Sequence, residues 1–240
     1  MNHCRSAWRA PRRLSGIGYR TVNGILSAAA AAVLFGTAAA SAGVIYDNGA
    51  GTPNSAIESD ADNAGFGARF AADDFVLQPD ANTITDIHWT GVYGFNGTPD
   101  PTDSFTIEVF ADSSGLPAAS PLATFGVGNA VNRTDTGTNL GGGSFTLFSY
   151  SAVISPLMLT PSTTYWLSIF NDTTADTNDN WFWAENSSTG SLVDRTQTSE
   201  WEPTDGTVDF QLTNGVPEPA TLALLGIGLA GLGFSRRKLN

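Results

Sequence analysis

Cysteine, histidine and lysine are among the residues this chain has least of, and each shortage removes a class of chemistry. Cys4 is the only cysteine. It lies in a basic, exportable N-terminal stretch, so residues 43–215 hold neither a disulfide nor a thiol nucleophile and depend on a packed core. His88 is the one histidine in that stretch. No cluster of His or Cys offers a transition-metal site and no Gly-x-Ser-x-Gly elbow accompanies His88. Its parity, opposite Ile87 and Trp89, places it on a solvent-facing strand surface. Of the 11 basic residues only Arg69, Arg133 and Arg195 fall between 43 and 215, against 22 acids, a net charge of −19. Such a surface excludes nucleic acid, whose binding rests on Lys and Arg neutralising phosphates. It also repels anionic polysaccharide unless divalent cations intervene, and keeps an exposed domain soluble.

Helical periodicity is equally scarce, and strand patterns fill the space. Phe105-Thr-Ile-Glu-Val109 and Thr207-Val-Asp-Phe-Gln-Leu212 alternate apolar and polar residues at period two, the mark of half-buried antiparallel strands. Ile87, Trp89 and Tyr93 share one face, and Phe145 with Leu147, Tyr165 to Phe170 and Trp181 to Trp183 add short aromatic runs. Turn chemistry separates them at Asn96-Gly97, Ser113 to Pro117, Gly141 to Gly143 and Thr204-Asp-Gly206. About nine or ten strands without crossover helices predict an all-β, antiparallel two-sheet sandwich, with a jelly roll as one arrangement of it. At 173 residues, 43–215 is one domain by size.

Carboxylates are the plentiful reactive groups. A glycosidase needs two of them about 5 to 9.5 Å apart across a sugar, and 22 acids supply pairs by chance. Asp73-Asp74 reads as a solvated turn ahead of a strand Phe75 to Leu77, and nothing in the sequence marks Glu58, Glu108 or Glu185 as buried. No catalytic residue is assigned, and the chain is expected not to be an enzyme; a hydrolase using a carboxylate pair on a jelly-roll scaffold is the alternative. The loop 171–180 is rich in hard oxygen ligands, and Asp172, Asp176 and Asp179 are its candidate calcium residues. It lacks EF-hand spacing and has equally the composition of a polar β-connection. Trp181, Trp183 and, further on, Trp201 are candidate carbohydrate contacts, because exposed indole faces stack on sugar rings. Core packing is the rival use of the same rings, favoured for at least one of Trp181 and Trp183. Four Asn-x-Ser/Thr sequons, at Asn96, Asn132, Asn171 and Asn186, carry no weight.

Both ends carry targeting character. Arg5, Arg9, Arg12, Arg13 and Arg20 precede the apolar stretch Ile25 to Phe35, and Ala40-Ser41-Ala42 fits signal cleavage at Ala40 and Ala42, with Gly43 as the mature start. Residues 1–42 therefore read as a signal peptide. The residues around Arg12-Arg13 fit a twin-arginine signal poorly, so Sec export is expected. At the other end Val216-Pro217-Glu218-Pro219 leads into Ala220 to Phe234, 15 residues without a charge, and then Arg236-Arg237-Lys238. Fifteen helical residues span about 22 Å against a hydrocarbon core of about 30 Å. Pro219, Ser235 and the stems of Arg236 and Arg237 extend this to a transmembrane helix over about 219–235 with its cations in the cytoplasm.

The order of these parts, flush with the C-terminus over residues 216–240, resembles the PEP-CTERM sorting signal of Gram-negative bacteria. That resemblance implies recognition of Val216, Pro217, Glu218, Pro219, Arg236 and Arg237 by an exosortase, a membrane-embedded processing enzyme. It further implies transient anchoring in the inner membrane, release or transfer to the cell surface or extracellular matrix, and a role beside exopolysaccharide in biofilm. A plain C-terminal anchor is the simpler reading of the same residues. The expected protein is a structural or polysaccharide-associated module, with calcium as the one conceivable cofactor.

Overall fold

The computed structural model describes residues 43–48, 53–62, 67–94, 99, 101–175, 179–186 and 190–215. The leader at 1–42 and the sorting segment at 216–240 lie outside the described residues. Within them the fold is all-β: two antiparallel sheets face each other across a common core, and the only helical element is a short 3-10 turn, Leu140–Gly142.

Strands are numbered along the chain. In the first sheet β4 (Thr83–Tyr93) is central. One edge of it pairs with β8 (Thr146–Met158), which pairs in turn with β7 (Asn132–Asn139). Its other edge is shared by β13 (Phe210–Asn214) and β10 (Trp181–Glu185), which are flanked by β1 (Gly43–Asp47) and β2 (Ser55–Glu58). The second sheet runs β12 (Glu202–Pro203), β11 (Val193–Thr196), β3 (Arg69–Val76), β9 (Thr164–Phe170), β5 (Phe105–Ala111) and β6 (Ala123–Gly128). Among the described residues thirteen strands appear where nine or ten are expected, because pieces as short as β2, β11 and β12 carry too few residues to show an alternation.

Period-two patterning sends one set of side chains from each sheet inward. Ile87, Trp89 and Tyr93 of β4 meet Phe105, Ile107 and Val109 of β5 in a core rich in aromatic rings. Trp89 stacks on Tyr150 at 5.5 Å, and Phe105 packs edge-on against Trp89, Tyr150 and Trp181. Such edge-to-face contacts add about 0.5–1.5 kcal/mol each beyond the area they bury. Gly91 lets the indole of Trp181 lie against the β4 backbone: a Cβ at that position would meet the ring at 2.5 Å.

The aspartates at 73 and 74 require a correction. They belong to β3, whose strand runs Arg69–Val76, and Asp73 points into the protein with 1% of its surface exposed. Its carboxylate accepts from Asn48 Nδ2 (2.9 Å), Thr207 Oγ1 (2.6 Å) and the Val208 amide (2.8 Å), three donors that belong to segments remote in sequence. Glu58 is likewise buried.

The sandwich has two unlike ends. One, the exit end, carries the β3–β4 and β8–β9 connections, the start of β1 and the finish of β13. The opposite, acidic end gathers Glu58, Asp60, Asp62, Asp103, Asp172 and Asp179 at the finish of β2, β9 and the entries to β5 and β10.

Candidate binding face and sorting motif

The outer face of the first sheet holds two straight rows of hydrogen-bonding side chains, set by register alone. Asp47 of β1 stands opposite Gln211 of β13, Gln211 opposite His88 of β4, His88 opposite Ser151 of β8, and Ser151 opposite Asn132 of β7. Two residues further along, Asp209, Thr90, Ser149 and Thr134 form the second row. Adjacent strands are about 4.8 Å apart, so the first row extends about 19 Å. Together the rows line a shallow groove of about 300 Å³.

Hydrogen bonds between neighbours orient these groups. Gln211 Nε2 donates to Asp47 Oδ2 at 3.1 Å, Thr90 Oγ1 to Asp209 Oδ2 at 2.7 Å, and Asn132 Nδ2 to Ser151 Oγ at 3.4 Å. His88 Nε2 lies 2.8 Å from Asp86 Oδ2. Its partial exposure agrees with the parity reading, and the Asp86 contact holds the ring on the surface. Burial raises the proton affinity of Asp209, against the Thr90 hydrogen bond and with a smaller contribution from Asp47. Among the described residues no lysine or arginine lines this groove.

The three described arginines are all engaged. Arg69 pairs with Asp194 at 3.3 Å, and Arg195 lies 4.5 Å over the Trp201 ring and 5.5 Å over Phe70. Arg133 turns inward from β7, its Nη1 3.0 Å from Asp103 Oδ1 and 3.3 Å from the Tyr93 hydroxyl. Tyr93 donates to Asp103 and accepts from Asn171 Nδ2 at 3.0 Å, which ties both sheets together at the acidic end.

The tryptophans at 181, 183 and 201 are packing residues. Trp181 and Trp183 are wholly covered in the inter-sheet core, and Trp201 is 5% exposed within an outer cluster with Phe110, Trp166 and Val193. With their faces occupied by protein, none offers a platform to a sugar. Parity correctly put Trp181 and Trp183 on one side of a strand, but only the opposing sheet decides that this side is the interior.

The 171–180 loop is divided by function. Asn171 is a buried structural residue whose Oδ1 accepts from the Ser104 and Asp172 amides. Asp172 is exposed and accepts from the Thr174 amide and hydroxyl. Asp179 is buried, and Asp176 lies outside the described residues. Asn180 donates to Glu58. Among the described residues no three acidic, histidine or cysteine side chains converge as a metal site. The carboxylate with the most donors at this end is one the sequence does not single out, Asp60. It accepts from the amides of Asp62, Thr173 and Trp181 and from the Thr173 hydroxyl. Burial nonetheless pushes its proton affinity up, to about 6. The rows of the groove were also missed, although outward parity at His88, Thr90, Asp209 and Gln211 is readable from the strand patterns.

Residues 215–238 match the family described as the PEP-CTERM protein-sorting motif. The chain thus carries the signal of an exosortase substrate, which implies an exported, surface-targeted protein with exosortase as its processing partner. No significant match to the chain was found among curated proteins or solved structures.

Proposed function

We propose that the chain is a non-catalytic surface or matrix module that associates with exopolysaccharide through the two polar rows of the first sheet, after Sec export and transient anchoring by the helix at about 219–235. The observation that carries this reading is the register match across five strands. It aligns carboxylates, amides, hydroxyls and an imidazole in a concave strip whose inter-strand spacing is comparable to a hexose ring. A hydrogen-bonding lattice without an aromatic platform suits weak, repeated contact with a polyhydroxylated chain, and many copies at a surface convert weak contact into retention. Asp47, Asp86 and Asp209, with no Lys or Arg beside them, favour an uncharged glycan over a uronate.

A hydrolase is the second reading, and it has one specific support: Asp209, with raised proton affinity, shares the groove with Asp47. The test is retention of the chain freed of residues 1–42 and 216–240 on the producing cell's own extracellular polysaccharide, with release of reducing ends followed in parallel. Retention that is lost in His88→Ala and Gln211→Ala without glycan shortening supports the module. Shortening that depends on Asp209 replaces it with the hydrolase, and retention indifferent to the groove substitutions overturns the assigned face.

A further inference from the structure

The large apolar side chains that remain exposed are not scattered. Val44, Val76, Leu122, Val153 and Met158 are the exposed large hydrophobics among the described residues, with Val153 and Met158 79% and 73% exposed. All five belong to the exit half of the sandwich. Val44 is the second residue of β1, Val76 closes β3, Leu122 immediately precedes β6 and Met158 closes β8. Val44 and Val153 occupy the outward row through Thr213 and Asp86, near the same end. Leu122, Leu157, Met158, Leu159 and Tyr165, together with Thr160, further line a groove of about 480 Å³ there. Scattered surface apolar residues need no explanation, but a cluster at one end does.

The chain leaves the fold at this same end. Asn214 closes β13 opposite Gly43, and the Gly215 amide bonds the Thr85 hydroxyl near the start of β4. The apolar run begins at Ala220, five residues after Gly215. Five residues span at most about 18 Å even when extended, and a headgroup layer takes up roughly 5–7 Å of that. The acidic end is out of reach, because the 11 residues of β4 alone cover about 37 Å.

We infer that the exit end is a membrane-facing surface: while the C-terminal segment is anchored, Leu122, Met158 and their apolar neighbours rest on the bilayer, and the acidic end points away from it. The inference depends on the proposal that 219–235 enters the membrane. Exposed Asp80 and Asp112 at the same end select a zwitterionic surface over an anionic one. Sorting thereby acts on a domain of fixed orientation.

Residues 43–240, which lack Cys4, reconstituted in phosphatidylcholine nanodiscs with a headgroup spin-label quencher, test this. A fluorophore is placed at Leu122→Cys or Met158→Cys and, for comparison, at Asp172→Cys on the acidic end. Several-fold stronger quenching at 122 and 158 than at 172 is expected, together with its loss when Leu122→Asp is combined with a label at Met158→Cys. Equal quenching in disc-bound chain overturns the orientation and leaves the anchor standing. Failure to remain with the discs overturns the anchor and the orientation together, and energy transfer between copies without lipid quenching assigns the patch to a second copy of the chain instead.

Discussion

Gly43 and Asn214 face each other across the β1–β13 ladder, and the Gly43 amide nitrogen lies 3.2 Å from Asn214 Oδ1. The start of the folded domain and its exit toward the sorting motif are therefore neighbours. Strand β1 supplies Ile45 and Tyr46 to the core, where Tyr46 stacks on Phe210 at 5.3 Å and its hydroxyl donates to the Asp74 carbonyl.

Removing residues 43–47 is expected to cost about 3–6 kcal/mol, because two large side chains leave the core at roughly 1.5–3 kcal/mol each. Urea denaturation followed by tryptophan fluorescence reads the loss as a lower midpoint. An unchanged midpoint would mean that β1 is an ornament on a core complete without it.

Asp73→Ala leaves the Thr207 hydroxyl and the Val208 amide without their acceptor, while Asn48 Nδ2 keeps Thr207 Oγ1 and the Val208 carbonyl. Buried unsatisfied donors cost about 1–3 kcal/mol each. A loss of about 3 kcal/mol is expected, at the limit of what many single substitutions do. Asp73→Asn keeps one acceptor oxygen and should fall between the two, a ranking that chemical denaturation can check directly.

What the sequence disclosed, and what it hid, divides along the range of the interactions. Alternation in Phe105 to Val109 and in Ile87 to Tyr93 is local, so those strands and their inward faces could be read. Asp73 could not, because its donors lie 25, 134 and 135 residues away and nothing near it announces burial. Trp181 and Trp183 show the intermediate case, where parity is local but the identity of the buried side depends on Phe105 and Tyr150. The binding face needed more still: each outward residue is legible singly, yet the row Asp47, Gln211, His88, Ser151 and Asn132 exists only once four ladder registers are fixed.

Gly91→Ala is the smallest substitution with a large expected effect. The new methyl would stand 2.5 Å from the Trp181 ring, which is itself hemmed in by Phe105 and Tyr150 and cannot retreat. Overpacking of this kind costs about 1–3 kcal/mol, whereas alanine in an open strand position would be favourable relative to glycine. Near-ultraviolet circular dichroism should report the displaced indole alongside the lowered midpoint. A stabilised variant would show that the indole has room that the packing denies it.

Acid should stabilise this domain, contrary to the usual acid lability of folded proteins. Burial raises the proton affinity of Asp60 to about 6, and of Asp73, Glu58 and Asp209 in the same direction. An unfolded aspartate titrates near 4, so between about pH 6 and 4 the native state binds a proton at Asp60 that the unfolded chain does not. Stability contributed this way is fully present below the unfolded value and is lost as pH rises through about 6. At about 1.4 kcal/mol per unit, Asp60 contributes up to roughly 3 kcal/mol across that window. For a domain of this size 1 kcal/mol moves Tm by about 2–4 °C. The midpoint at pH 4.5 is thus expected several degrees above that at pH 7.5, and lowering the repulsion among 22 acids acts with the same sign. Asp60→Asn should flatten the profile between pH 4 and 6. A midpoint that falls on acidification from pH 7.5 to 5 would show that the four donors around Asp60 outweigh its burial and hold it ionised.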